Sequence, residues 1–231
     1  MRPKPSKPPW AFVDCGNQAG QANVLNFLGV VRRLTGNVAG SAEALQAALS
    51  IFRELGKPGG EANALMEIGA VYSLMGDHAG ADEALGDALE ICRNLGDRGG
   101  ETAALDFLGM TRRTAGDYLG AAQALGEALA IFRDVGDRGG EANALNDIAA
   151  VHRLGNDFDR AAACHRQALE LARKIGSYWD QAHALAGLGR CALAAGRPAD
   201  ALGDLRGALE IFQRIGAVEA SSVAAELDAL T

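Results

Sequence analysis

The sequence predicts an all-α solenoid of five helix pairs followed by a C-terminal capping helix. The first observation is a 40-residue repeat, in which residues 60–65 and 140–145 both read GEANAL. The second is that apolar residues within each repeat recur at the spacing i, i+3, i+4 and i+7, which is one face of a helix. A fixed period of this length is typical of repeat architectures. The third observation is a ladder of glycines with the same step, each preceded by Leu, Val or Ile: Gly56, Gly96, Gly136, Gly176 and Gly216.

The N-terminal part, residues 1–19, is predicted to be a proline-rich segment with a remnant helix. Residues 1–9 hold four of the six prolines and should be extended. Residues 11–16 align, 40 residues back, with 51–56 at the end of a helix. We therefore expect the last turns of a helix whose first half is missing, either because the array once extended upstream or because the chain is part of a longer protein.

Each unit is predicted to contain a helix A and a helix B joined by a two-residue turn. The first turn residue is Gly or Asn, which adopt the left-handed conformation that ends a helix most easily. The second is Asn or Asp in four units and caps helix B, whereas in the fifth Arg197 cannot cap and Pro198 takes the first helical position. The five turns are Gly36-Asn37, Gly76-Asp77, Gly116-Asp117, Asn156-Asp157 and Gly196-Arg197.

These signals divide residues 20–216 into five repeats with the bounds 21–60, 61–100, 101–140, 141–180 and 181–216. Glycine-rich stretches such as 56–60 are predicted to be turns between units. They lack the Gly-Lys-Ser/Thr ending and the preceding strand of a phosphate loop. Residues 217–231 begin a further helix A with Val223, Leu227 and Leu230 apolar, and we expect it to cover the end of the array.

Two features of the units carry a family resemblance. Helix A has a Leu-Gly position, which reads Leu28-Gly29, Ile68-Gly69, Leu108-Gly109, Ile148-Ala149 and Leu188-Gly189. Helix B has small residues in two rows, which read Ser41, Ala81, Ala121, Ala161, Ala201 and Ala48, Ala88, Ala128, Ala168, Ala208. Small residues let two helices approach closely, and this pattern resembles the tetratricopeptide repeat.

The resemblance implies a right-handed α-solenoid whose inner wall is built from helix A and binds proteins or extended peptides. The unit has 40 residues where the family usually has 34, so helix B should be longer by more than a turn. The longer form is similar to arrays behind the nucleotidase modules of bacterial signalling proteins and antibiotic-pathway regulators. Because the fold is a general binding platform, the resemblance gives function only by analogy.

By that resemblance three rows of helix A positions face the groove. One row reads Asn23, Asn63, Ala103, Asn143 and His183, and the next reads Asn26, Met66, Asp106, Asn146 and Ala186. The third reads Arg33, Ser73, Arg113, Arg153 and Leu193, with Arg190 close by. The candidate partner-binding residues are Asn23, Asn26, Arg33, Asn63, Asp106, Arg113, Asn143, Asn146, Arg153 and Arg190.

Two interpretations of these rows stay open. Asparagine offers a donor and an acceptor to the backbone of an extended peptide, and arginine holds a carboxylate with two parallel hydrogen bonds. Alternatively, the polar residues are the solvated side of an amphipathic helix, and the asparagines recur through repeat duplication or bond between units. The rows contain no lysine, so the lysine-based carboxylate clamp of the family is not expected.

Composition and charge limit the other function classes. The net charge of −7 argues against direct binding of nucleic acid, and no apolar run reaches the length of a membrane span. Cys15, Cys92, Cys164 and Cys191 have no CxxC spacing and are expected to be reduced thiols, consistent with a cytoplasmic protein. No signal peptide, cofactor motif or metal-ligand pair is found.

A catalytic role is not predicted, although Cys164 and His165, with His152 and Asp157, resemble a nucleophile and base. Neighbouring helical residues point about 100° apart, so Cys164 and His165 cannot address one site. His165 also fills the leucine position of its helix and Cys164 an alanine position, which favours a buried histidine at a repeat interface. Tyr178 and Trp179 of unit five either anchor a partner or, as favoured, pack back on neighbouring helices.

The sequence therefore predicts a non-catalytic scaffold that binds a protein or peptide. We expect the sensing or assembly region of a bacterial regulatory system, with an extended segment carrying acidic residues in the helix A groove and other domains of a larger regulator as candidate partners. The alternative is a receptor for a small signal molecule or short signalling peptide that changes the curvature of the array. The oligomeric state is left open.

Overall fold

The computed structural model describes residues 17–230, and these residues form helices joined by short turns. The expected all-α fold class is confirmed. The helices are α1 (Gln18–Leu34), α2 (Val38–Glu54), α3 (Pro58–Leu74), α4 (His78–Leu95), α5 (Arg98–Ala115), α6 (Tyr118–Val135), α7 (Arg138–Leu154), α8 (Phe158–Ile175), α9 (Tyr178–Ala194), α10 (Pro198–Ile215) and α11 (Glu219–Asp228). The extended segment and remnant helix expected in residues 1–16 lie outside the described residues.

The chain divides into two compact units, Met1–Phe107 and Leu108–Thr231, called here the N-terminal and C-terminal units. The division falls within α5, the helix A of the third predicted repeat. In both units odd-numbered helices occupy the helix A positions of the sequence pattern, and even-numbered helices the helix B positions. None of the helices between residues 17 and 230 is long and apolar enough to cross a membrane.

The turns inside the pairs have the conformation that the sequence predicts. Gly36 has φ of 82°, and Asn156, which takes the same place in the fourth pair, has φ of 63°. Asp77 is a typical second turn residue, because its carboxylate accepts a hydrogen bond of 3.0 Å from the backbone N–H of Gly80. Arg197 makes no side-chain cap, and Pro198 occupies the first turn of α10.

The glycine-rich stretches between repeats are turns only in part: Gly56 and Lys57 lie outside the helices, but the prediction is wrong for the residues that follow. Pro58 to Gly60 form the first turn of α3, and the corresponding residues of α5, α7 and α9 are also helical. The residue before α5, α7 and α9 caps the helix, whereas Lys57 before α3 makes no side-chain cap and Pro58 lies in the first turn. Asp137 accepts a 3.0 Å hydrogen bond from the N–H of Gly140, and Ser177 accepts one of 3.3 Å from Asp180. Helix A is therefore longer at its start than the sequence suggested.

Close contact between helices A and B explains the Leu-Gly position. In the N-terminal unit, a Cβ atom placed on Gly69 would lie 2.5 Å from Cγ of Leu85, and in the C-terminal unit one on Gly109 would lie 2.7 Å from Cγ of Leu125. The leucine side chains fill the space that a side chain on the glycine would need, and Leu85 is completely buried. Because the glycine has no side chain, helices A and B of a pair can pack closely at this position.

An ion pair that was not predicted from the sequence connects α2, α4 and α6 with the helix A that follows each of them. Nε of Arg53 lies 2.7 Å from Oε1 of Glu61 in the N-terminal unit. In the C-terminal unit, the equivalent distance between Arg133 and Glu141 is 2.9 Å. The arginine near the end of these helices thus pairs with a glutamate in the first turn of the next helix A.

The C-terminal helix α11 packs against the last pair, as a capping helix should. Val223 and Leu227 are buried in a cluster with Leu205 and Phe212. Its Glu226 also forms an ion pair with Arg190 of α9, with 2.6 Å between the nearest atoms. The helix is thus held by apolar packing and by one bidentate contact.

Candidate functional site

A cavity of about 360 Å³ opens on the helix A side of the C-terminal unit. Helices α5, α7 and α9 supply most of its wall, because their polar faces repeat the same positions at the 40-residue step. Helix α8 contributes His165 to the lining. The lining residues are Arg113, Asn143, Asn146, Asp147, Ala150, Arg153, His165, Trp179, His183, Gly187 and Arg190.

The predicted site residues fall into two groups. All those that lie in the C-terminal unit line this one cavity, namely Arg113, Asn143, Asn146, Arg153 and Arg190. The others, Asn23, Asn26, Arg33, Asn63 and Asp106, belong to the N-terminal unit. Five of the ten predicted site residues therefore lie around one cavity.

In the N-terminal unit the predicted residues differ in their surroundings. Asn23 and Asn63 are exposed, whereas Asn26 and Asp106 are half-buried. Arg33 is engaged, because its guanidinium lies 2.9 Å from Oε2 of Glu67 on the next helix A. The interpretation of these positions as a solvated polar face therefore stays open for the two exposed asparagines.

The arginines of the cavity have different partners. Arg190 is neutralised by Glu226 of α11, which accepts hydrogen bonds from its Nε and Nη2. Arg113 and Arg153 form no ion pair with any residue in 17–230. Burial raises the pKa of the Asp147 carboxyl, and the positive charge of Arg113 partly offsets that effect. The cavity therefore offers cationic groups whose hydrogen-bonding capacity is not used by the described chain.

The floor of the cavity is a buried hydrogen-bond chain. Asn146 donates through its amide nitrogen to the carbonyl oxygen of Asp180, at 3.2 Å. Its carbonyl Oδ1 therefore faces Nδ1 of His165, 3.0 Å away, so the neutral ring carries its proton on Nδ1. Burial, reinforced by the charges of Arg153, Arg190 and His183, lowers the pKa of His165 to about 4. His165 is neutral near pH 7 and acts as a fixed donor to Asn146.

His165 occupies this place because the fourth pair departs from the repeat at Ala149 and His165 and because α9 of the fifth pair has Gly187 opposite the ring. The Leu-Gly contact of the other pairs is absent here, since Ala149 replaces glycine and His165 replaces leucine. The ring points instead to α9, where a Cβ on Gly187 would lie 2.1 Å from its Nε2. Only glycine at 187 leaves room for the ring. The residues Ala149, His165 and Gly187 therefore depend on one another.

An aromatic group closes one side of the cavity. The rings of Trp179 and His183 lie 4.6 Å apart between centroids, and His183 also meets Phe212 edge-on at 5.1 Å. Trp179 keeps 46% of its surface exposed. It thus packs on neighbouring helices, as the favoured interpretation had it, and presents a face to the cavity. The guanidinium carbon of Arg214 lies over the ring of Tyr178, 3.9 Å from the ring centroid.

Several lining residues were not predicted from the sequence. Asp147, Ala150 and Gly187 stood outside the three rows, and His165 was predicted only as a buried histidine at a repeat interface. A signal was present, because positions 149 and 165 break the repeat together and such local exceptions often mark functional sites. The pairing of His165 with Gly187 needs the contact between α8 and α9, which the period alone does not give.

The chemistry of the site is that of recognition. Burial raises the pKa of the Cys164 thiol, which disfavours the nucleophilic thiolate. No group of three metal-ligating side chains occurs among residues 17–230. The cysteines at 92, 164 and 191 are free and wholly or partly buried, and Cys15 lies outside the described part of the chain.

Comparison with known proteins identifies the repeat. The sequence profile of the tetratricopeptide repeat matches residues 20–94, 60–134, 101–174 and 140–214, which overlap along the chain. No relative is found among curated proteins. Among solved structures the chain is similar to BtubC from P. vanneervenii, with a TM-score of 0.75 and 20% identity over 89% of this chain and 85% of that one.

Two further structures share the fold. One is a signal transduction ATPase with numerous domains, from Pyrococcus horikoshii, which has a tetratricopeptide repeat sensor. It matches with a TM-score of 0.79 and 13% identity over 92% of this chain and 33% of that one. The other is a Rap protein complexed with competence and sporulation factor, with a TM-score of 0.66 and 19% identity over 93% of this chain and 65% of that one. At these identities the likeness shows the fold alone.

Proposed function

The chain belongs to the tetratricopeptide repeat family, and we propose that it binds an extended, acidic segment of a partner on the helix A surface of its C-terminal unit. The family assignment itself makes the chain a non-catalytic scaffold for protein interaction. The observation that supports the finer proposal is the cavity, where Arg113 and Arg153 lie beside Asn143 with no ion pair among the described residues.

The chemistry of the lining fits a peptide with carboxylate groups. Exposed Asn143 offers both a donor and an acceptor to a peptide backbone, and the two arginines offer parallel N–H groups to carboxylates. Half-exposed Trp179 provides a flat apolar surface at the edge, as anchor sites in interfaces often do. Each element of an extended acidic ligand thus has a matching group.

The physiological role that we propose is the sensing or assembly region of a cytoplasmic bacterial regulator. The fold likeness to the repeat sensor of the signal transduction ATPase supports a sensing role. A second candidate is a receptor for a short signalling peptide whose binding changes the curvature of the array. The limited volume of about 360 Å³ favours a short ligand, and the Rap protein of similar fold is complexed with a signalling factor.

Selection of peptides from a displayed random library on the intact chain tests this proposal. We expect the selected peptides to be enriched in Asp and Glu, and the double variant R113A/R153A to lose at least tenfold in affinity for them. The matched control is R166A/R206A, which removes the same charge from exposed positions on helices α8 and α10. Equal loss in both variants, or selected peptides without acidic residues, would contradict the proposal.

A further inference from the structure

We infer that Arg153 forms a carboxylate-binding subsite of the cavity, and that the ligand supplies the acidic group which the repeat itself lacks at this place. This inference deepens the proposed function and rests on it. It follows from comparing the arginines at one helix A position with the residue that the repeat sets opposite each of them.

Arginines in this row face an acid from the next helix A. In the N-terminal unit Arg33 pairs with Glu67, 34 residues later, through contacts of 2.9 and 3.1 Å. In the C-terminal unit the same step from Arg113 leads to Asp147, whose carboxyl pKa is raised by burial and lowered by the charge of this arginine. The repeat thus places one of its own carboxylates at this step from each of the two arginines, as an ion pair for Arg33 and without one for Arg113.

Arg153 is the exception in the C-terminal unit. The same step leads from it to Gly187, which has no side chain. An acid cannot stand there because the His165 ring fills the space, with its Nε2 2.1 Å from where a Cβ would lie. Arg153 is half-buried, lines the cavity and has no ion pair with any described residue. The His165 ring, which belongs to the hydrogen-bond chain at the cavity floor, therefore also prevents an acidic residue at position 187 from pairing with Arg153.

A neighbouring arginine of the cavity, Arg190, already binds a carboxylate. Arg190 also lines the cavity, and both carboxylate oxygens of Glu226 accept hydrogen bonds from its guanidinium, at 2.6 to 3.2 Å. Glu226 comes from α11, so the chain itself places a carboxylate of a separate helix on this side of α9. A second carboxylate at Arg153 would extend the same pattern.

Electrostatics favour an anionic occupant over a neutral one. Arg153 and Arg190 both act to lower the pKa of His165, so the ring experiences their positive charge. Because the ring is neutral near pH 7, it adds no charge of its own and offers Nε2 as an acceptor only. A carboxylate at Arg153 would therefore be attracted by the guanidinium without repulsion from an ionised histidine.

Three acetylated alanine pentapeptides serve as probes for the intact chain. One has a central Asp and an amidated end, one a central Asn and an amidated end, and one has no acidic side chain but a free terminal carboxylate. Binding is followed at constant ionic strength through the side-chain Nε–Hε resonance of Arg153 in NMR titrations. We expect at least one carboxylate peptide to bind tenfold more tightly than the Asn peptide and to shift that resonance. The better of the two identifies a side chain or a chain end as the source.

Variants separate the subsite from general charge effects. R153Q should abolish the preference for carboxylate, while R33Q, whose arginine is engaged with Glu67, should keep it. The triple variant A149G/H165L/G187D introduces the residues found 40 positions earlier, Gly109, Leu125 and Asp147, and provides Arg153 with an acid from its own chain. We expect it to fold and to lose the preference.

The outcomes are distinguishable. Equal binding of all three peptides overturns the subsite and leaves peptide binding in the cavity intact. Equal loss of the preference in R153Q and R33Q also overturns it, because the effect would then follow net charge. If no peptide binds in the millimolar range, both the subsite and the proposed function are wrong.

Discussion

Nδ1 of His165 lies 3.0 Å from Oδ1 of Asn146, and this contact joins the two helices of the fourth pair at the floor of the cavity. The amide of Asn146 continues the chain to the carbonyl oxygen of Asp180 at the start of α9. A single histidine thus fixes the orientation of an asparagine that the sequence analysis placed in the ligand site. It also connects the fourth pair with the fifth.

The first prediction concerns acid stability. Burial and nearby positive charges lower the pKa of His165 from 6.5 to about 4. Between pH 6.5 and about 4 the histidine is therefore protonated in the unfolded chain and neutral in the folded chain. The contribution of this group is complete above about pH 6.5 and is lost as the pH falls toward 4. We expect wild type to lose on the order of 3 kcal/mol more than H165Q over this range, measured by urea unfolding. Parallel pH profiles for the two proteins would contradict the assignment.

The second prediction concerns Gly187. A methyl group there would lie 2.1 Å from Nε2 of His165, whose ring is held by Asn146, so G187A should cost about 1–3 kcal/mol of unfolding free energy through overpacking. The control is G203A in α10, where a Cβ meets nothing within 4 Å. That change should stabilise by about 0.5–1 kcal/mol, because alanine is the better helix former. Similar effects of the two changes, measured by denaturant titration, would refute the steric argument.

The third prediction concerns the turn of the fifth pair. Arg197 at the start of α10 makes no cap, while Asn37 at the same place accepts a 3.1 Å hydrogen bond from the N–H of Gly40. R197N should therefore raise the unfolding free energy by about 1 kcal/mol. The lost pair with Asp200 is exposed and contributes little. N37A, which removes a cap, should have the opposite sign, and an unchanged or lowered melting temperature of R197N would contradict the prediction.

The fourth prediction concerns the link between helix B and the next helix A. Glu141 is 10% exposed at its side chain and accepts hydrogen bonds from Arg133 and Arg138. E141Q should lose about 1–2 kcal/mol, and high salt should narrow its difference from wild type. The matched change E170Q removes an exposed pair with Lys174 and should leave the unfolding free energy unchanged. A loss in E170Q as large as that in E141Q would show that burial does not decide the effect.

Much of the fold could be predicted because its determinants are local and repeated. Gly36 at φ of 82° and the capping carboxylate of Asp77 were expected from the residue types alone. The starts of helix A were misplaced for a related reason. Gly59 and Gly60 read as turn residues, but Pro58 in the first turn of α3 and packing between helices outweigh the weak helix preference of glycine.

The site was predicted only in part. Asn143, Asn146 and Arg153 were found because the period places helix A positions in rows. His165 was predicted to be a buried histidine at a repeat interface, and the structure confirms this. Its place in the cavity lining was not predicted, because the direction of the ring depends on which neighbour leaves space for it. That neighbour is Gly187, which lies on a different helix and is not adjacent in sequence.

The sequence by itself determined the period, the helix pairs and the chemical character of the helix A rows, because these follow from residue types at fixed spacing along one chain. Only the tertiary structure decided which arginines are engaged and where a cavity opens. Arg33 and Arg153 occupy the same repeat position, yet Arg33 pairs with Glu67, whereas the same step from Arg153 leads to Gly187, which has no side chain. The difference arises from packing between helices, where the volume of one side chain sets the space left to another.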